Sequence, residues 1–186
     1  MTTLCRSFLV STNRTTLLAA VFNETVGRVT RLKTLITAVK SIGETTTFFC
    51  WESRDLAEHR HCERNDTSDP EYRLPREHAI ALTLMMTSPP APCLFMGSEF
   101  FTAVPFDDSL QRLHFDFISD TESRDYRHFS LTRDLIGVRK RYLEGTVKWE
   151  ETWSNEAAGV MRITIQSNVY CLVLVVNLSS QDYNGG

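Results

Sequence analysis

Two carboxylates stand where a sheet could put them to use. The apolar run Thr45-Thr46-Thr47-Phe48-Phe49-Cys50-Trp51 leads into Glu52-Ser53-Arg54-Asp55, and the run Pro92-Cys93-Leu94-Phe95-Met96-Gly97 leads into Ser98-Glu99-Phe100. A helical pattern lies between them. Strand, helix and strand, with an acid following each strand, is how parallel sheets deliver reactive side chains to one face. Asp55 and Glu99 are therefore the first candidates for a site that works with carboxylates. Taken alone, Asp55 reads more readily as the cap of a turn or helix, and Glu99 as a residue that orients its neighbours.

Other constellations are weaker. Glu58-His59-Arg60-His61-Cys62-Glu63-Arg64 is rich in metal-ligand types, but His59 and His61 are two apart and do not share a helix face. The five cysteines are dispersed, with no CxxC pair, so no zinc site is expected. Cys50, Cys93 and Cys171 lie in apolar runs and read as small buried hydrophobes, which favours a reducing, cytoplasmic setting. Four Asn-x-Ser/Thr sequons, at Asn13, Asn23, Asn65 and Asn177, have meaning only in a secreted chain.

The chain of 186 residues carries a net charge of −3, with 42% apolar and 23% charged residues. That is the composition of an ordinary globular domain, or one and a fraction. A pI of about 6.0 gives no basic footprint for nucleic acid. No apolar run reaches the roughly 18 residues of a membrane span. The first residues have no apolar core and no cleavage site of a signal peptide.

The elements that would position the acids follow from periodicity. Residues 15–40 carry apolar side chains at intervals of three and four, a helix divided near Gly27 and ended at Gly43. Residues 45–51 are β-branched and aromatic, as in a strand covered on both faces. A long polar stretch, residues 53–75, precedes a helix over residues 76–87, which Pro89-Pro90 stops. In it Met85 and Met86 read as core packing. Leu94-Phe95-Met96 is the next short buried strand, and residues 100–120 form an aromatic-rich loop. A second helix covers residues 126–142. Its apolar side is Phe129, Leu131, Leu135, Ile136 and Val138, its basic end suits the helix dipole, and Gly145 ends it. The pattern then changes to period two. Residues 147–153, 159–165 and 169–178 read as antiparallel strands, with turns at Asn155 and near Asn168.

Several of these segments resemble the α-amylase family, glycoside hydrolase family 13. Glu52-Ser53-Arg54-Asp55 is similar to the Glu-Ser-His-Asp segment near its seventh barrel strand. Residues 88–100, from Ser88-Pro89-Pro90 through Leu94-Phe95-Met96-Gly97-Ser98-Glu99-Phe100, resemble its eighth strand and the lead-in to it. Arg133-Asp134-Leu135-Ile136-Gly137-Val138-Arg139-Lys140-Arg141-Tyr142 is similar to its eighth barrel helix, and Val173-Leu174-Val175-Val176-Asn177-Leu178 to a strand of its C-terminal β-sandwich. The segments occur in the family's order over residues 20–180.

The resemblance implies an α/β chain: the last two βα units of a (β/α)8 TIM barrel, residues 1–145, then the start of an antiparallel β-sandwich, residues 146–186. It implies action on α-glucosidic bonds, by hydrolysis or transglycosylation, with an α-glucan or maltooligosaccharide as ligand; no cofactor or metal is expected from the residues. Retaining glycosidases use a nucleophilic carboxylate and an acid/base. The family adds a third carboxylate that holds sugar hydroxyls and favours transition-state charge, and Asp55 matches that position. Trp51 and Glu99 would bind or support the sugar. The Leu-Phe-Met-Gly-x-Glu-Phe form is of the kind found in branching enzymes and trehalose-releasing relatives. Two departures stand out. Arg54 replaces a histidine that contacts substrate, and Arg is longer and permanently charged. Strands one to six, two of which carry the nucleophile and the acid/base, have no counterpart here, and a barrel takes about 250 residues. The expectation is a C-terminal part of such an enzyme, with the rest of the barrel as its partner. The alternative is a non-catalytic remnant that binds carbohydrate or a partner protein.

Overall fold

The computed structural model describes residues 33, 36, 37, 48–50, 73–94, 96–100 and 119–179. Lys33, Ile36 and Thr37 are helical. The Thr37 hydroxyl donates to the Lys33 carbonyl at 3.0 Å. The rest of the expected first helix, the long polar stretch and most of the aromatic loop lie outside the described residues. The chain divides into two compact units. One spans Phe48–Thr87 and Ala91–Arg141; the other contains Met1–Thr47, Ser88–Pro90 and Tyr142–Gly186.

The first unit begins with strand β1, Phe48–Cys50. Helix α1, Arg73–Thr87, follows, and then strand β2, Ala91–Cys93. β1 and β2 pair in parallel, Phe48 opposite Ala91 and Cys50 opposite Cys93. The ladder is short. Pro92 has no amide hydrogen to give it, and the chain turns at Met96-Gly97, where Gly97 takes φ 93°. The strand expected at Leu94-Phe95-Met96 is thus displaced to Ala91–Cys93. It alternates exposed and half-buried positions instead of being covered on both faces. Cys93 is exposed, not a buried hydrophobe.

α1 starts three residues before the expected position, with Pro75 in its first turn. An amide there has no intrahelical acceptor, so a proline costs nothing. Ala81, Leu82, Leu84, Met85 and Met86 are all buried. At 3.6 residues per turn these positions cover roughly 200° of the helix circumference, while Ala79, Ile80 and Thr83 are half-buried and Arg76 is exposed. Thr83 and Thr87 hydroxyls donate to the carbonyls of Ala79 and Thr83, at 2.7 and 2.8 Å. Those bonds satisfy the hydroxyls within the helix itself.

Helix α2, Arg124–Tyr142, has a formed N-cap: the Ser123 hydroxyl accepts from the Tyr126 amide at 3.1 Å. This satisfies one of the otherwise orphaned first amides. Asp125 lies in the first turn and Arg139, Lys140 and Arg141 in the last, the charge order the helix dipole favours. The residues read as its apolar side, Phe129, Leu131, Leu135, Ile136 and Val138, are only half-buried. The most buried are His128 and Thr132. Two polar ties to α1 explain why. His78 of α1 meets His128 at 2.9 Å. Arg139 Nη1 donates to the Met86 carbonyl at 2.9 Å, one of the last carbonyls of α1 with no intrahelical partner. Burial lowers the Arg139 pKa, yet a guanidinium keeps its charge. The ties come in the same order on both helices, about 12 Å apart along α1 and about 16 Å along α2. The helices therefore run side by side in the same direction, and the long arginine side chain takes up the difference.

The second unit holds a three-stranded antiparallel sheet in the order β3-β4-β5. Its strands are β3, Lys148–Asn155, β4, Val160–Gln166, and β5, Cys171–Asn177. Alternation sets the register. Met161, Ile163 and Ile165 of β4 are buried and oppose Val176, Leu174 and Leu172 of β5. β3 is bulged between Glu151 and Trp153. The β3–β4 turn closes on Gly159 (φ 73°), whose amide donates to the Asn155 carbonyl at 2.9 Å. At the β4–β5 turn the Ser167 amide donates to the Tyr170 carbonyl at 2.8 Å. The Tyr170 ring meets Tyr142 edge-on, with centroids 5.2 Å apart. Cys171 is exposed. It had been expected to be buried, but it falls on the sheet face that carries the exposed Val173 and Val175.

Candidate functional site

Of the four sequence-derived site residues, Glu99 is described; Trp51, Arg54 and Asp55 lie outside the described residues. So do the Glu58–Arg64 tract and the loop aromatics Phe101 and Phe106. Glu99 belongs to a single 3-10 turn, Ser98–Phe100, directly after β2. Ser98 and Phe100 are buried and Glu99 is half-buried. Its carboxylate folds back on its own turn: Oε2 accepts from the Gly97 amide at 2.7 Å. The Phe100 amide closes the same turn onto the Gly97 carbonyl at 3.3 Å. One Glu99 oxygen thus stabilises the conformation that Gly97 alone can adopt without a Cβ clash.

α2 holds this turn from the other side. The Thr132 hydroxyl lies 2.9 Å from the Glu99 carbonyl and 3.0 Å from the His128 carbonyl one helical turn before. A hydroxyl has a single hydrogen, so the two carbonyls share it. Thr132 ties the segment that follows β2 to the helix, and its burial is explained by that tie.

One turn before Thr132 is the buried pair His78 and His128. Their ring centroids are 4.6 Å apart and inclined at 59°, and His78 Nδ1 and His128 Nε2 are 2.9 Å apart. One nitrogen must carry the hydrogen and the other must be bare, so at least one ring accepts as an uncharged imidazole nitrogen. Burial, and secondarily the charge of Arg124, pulls the His128 pKa down from 6.5 to about 4. The Arg124 guanidinium is itself bonded to Asp125 at 3.0 Å. His128 is therefore uncharged at neutral pH and serves to join two helices. Apolar periodicity alone does not pick out His128. The available signal was spacing: His128, Thr132 and Leu135 recur at four and three, one face of a helix, but two of the three are polar.

Among the described residues no group of three or more His, Cys, Asp or Glu could hold a metal ion. Among them, too, no helix is long and apolar enough to cross a membrane. No family model, no curated protein and no solved structure matches the chain.

Proposed function

We propose that these residues serve as the C-terminal part of an α-amylase-family enzyme acting on α-glucosidic bonds, in the cytoplasm, with an α-glucan or maltooligosaccharide as ligand. The observation that carries the reading is the parallel repeat: β1 and β2 pair in parallel with α1 between them, and α2 runs alongside α1 in the same direction. Successive βα units of a barrel have this arrangement. Residues 133–142, which resemble the family's eighth barrel helix, lie in α2. In this proposal Asp55 steadies positive charge on the sugar as the glycosidic bond breaks. Arg54 and Trp51 contact the sugar, and Glu99 supports the turn after β2. The nucleophile and the acid/base come from barrel strands with no counterpart among these residues.

Arg54 favours a second reading, a non-catalytic remnant that binds carbohydrate or a partner protein, because it replaces a substrate-contacting histidine. An immunoblot of source cells with an antibody to residues 146–186 tests the proposal. A band far above 21.3 kDa, large enough to add a barrel's missing strands, supports the enzyme. A band near that mass overturns it in favour of the remnant. Calorimetric titration of the purified chain with maltooligosaccharides then separates a carbohydrate binder from a protein-binding one. The purified chain alone should show no glucan cleavage or branching. Turnover that Asp55→Asn abolishes would contradict this division of labour.

A further inference from the structure

We propose that Cys50 and Cys93 are a redox modification site, a thiol pair that hydrogen peroxide closes into a disulfide between β1 and β2. The parallel ladder sets Cys50 directly opposite Cys93. Residues directly opposed in a parallel ladder stand on the same face of the sheet. Neighbouring strands lie about 4.8 Å apart, and a disulfide joins residues whose Cα atoms are about 4.4–6.8 Å apart. The register therefore brings the two residues within bridging range. Cys93 is also the last residue of β2, and Leu94 has already left the ladder. The backbone there can adjust as a bridge closes.

Access favours the same pair. Cys93 is an exposed free thiol. Ala91, two residues before it and on the same face, is exposed as well, so an oxidant reaches that face from solvent. Cys171 is a second exposed free thiol, but the residue opposite it in β4 is Gln166. Of these two thiols, Cys93 is the one set across a ladder from another cysteine.

The chemistry balances with peroxide as the named oxidant. The Cys93 sulfur, as thiolate, attacks one peroxide oxygen. An S–O bond forms, the O–O bond breaks, and the departing hydroxide takes up the proton that the thiol released. Cys93 is then a sulfenic acid. The Cys50 sulfur attacks the Cys93 sulfur; an S–S bond forms, the S–O bond breaks, and the oxygen leaves as water with the Cys50 proton. The two thiols together lose two electrons and two hydrogens, and the peroxide becomes two waters. A dithiol reverses the bridge by exchange. Exposed bridges are of this labile, regulatory kind, and in a reducing compartment disulfides are transient and sensing. The bridge ties together the strands from which the segments carrying Asp55 and Glu99 continue, and it stands on the strand register whether or not the chain acts on glucans.

Peptide mapping of the full chain tests this. The reduced protein, freed of reductant, is treated with hydrogen peroxide at pH 7.5. Remaining thiols are blocked with N-ethylmaleimide, and the chain is digested with trypsin without reduction. The expected product joins residues 41–54 to residues 77–112. Its yield should exceed that of any other cysteine pair by roughly tenfold or more, and dithiothreitol should remove it. In guanidinium chloride the same treatment should favour Cys50 with Cys62, which is nearer in sequence, because a shorter loop costs less to close. A preference for Cys93 that appears only in the folded chain sustains the site. Linkage of Cys50 chiefly to another cysteine in the folded chain overturns it. So does sulfinic acid at Cys93 with Cys50 still blocked as a thiol, or the absence of any link.

Discussion

The C-terminal half of helix α1 and strand β5 are both written mainly in apolar residues, yet they are buried differently. In α1 Ala81, Leu82, Leu84 and Met85 are completely enclosed. In β5 Val173 and Val175 are 60% and 62% exposed, although no charged residue interrupts Cys171–Asn177. A strand sends alternate side chains to opposite faces, and here one face of the sheet packs while the other meets solvent. A helix spreads a similar run around a cylinder, and in α1 the enclosed positions cover roughly 200° of it. An apolar run therefore announces a demand for burial, and only the placement of the neighbouring elements meets it.

The largest test of that contrast lies in α1. Leu82→Ala should lower the unfolding free energy by about 2–5 kcal/mol, measured by denaturant titration, because it removes an enclosed side chain and leaves a cavity. A loss under about 1 kcal/mol would mean that the enclosure is looser than it looks. A middle-sized effect is expected at Gly145, between the regions being compared. It takes φ 77°, and a Cβ there would run into the Asn168 side chain. Gly145→Ala should cost about 1–3 kcal/mol through strain. Asn168→Gly in the same background should return the part that comes from the collision and leave the part that comes from the positive φ. The smallest effect belongs to the open face. Val175→Thr should change stability by no more than about 0.5 kcal/mol. A loss as large as that of Leu82→Ala would show that something covers Val175 in solution.

Legibility in the sequence followed the same division. α1 and α2 were readable from three-and-four spacing and from Pro89-Pro90 and the basic residues 139–141. Three antiparallel strands after residue 145 were readable from period two, because alternation in Met161, Ile163 and Ile165 depends on local chain geometry alone. The second parallel strand was misplaced by about three residues. Leu94-Phe95-Met96 is more apolar than Ala91-Pro92-Cys93, but Gly97 and the Glu99 carboxylate draw the chain into a turn there. The candidate site was legible as two acids after two strands, of which Glu99 alone is described, with its carboxylate bound to its own turn.

What escaped the sequence was pairing across long separations. Nothing local to His78 or His128 marks them as partners fifty residues apart. The expected apolar side of α2 gave no hint that its most buried residues would be a histidine and a threonine. The amino-acid sequence by itself determined which stretches become helix and which become antiparallel strand, since capping, proline and periodicity act within a few residues. The tertiary structure alone decided which apolar residues are enclosed, which sheet face stays open, and which polar groups tie α1 to α2. Burial and hydrogen bonding at those places depend on atoms brought together from distant parts of the chain, and no local spacing encodes that meeting.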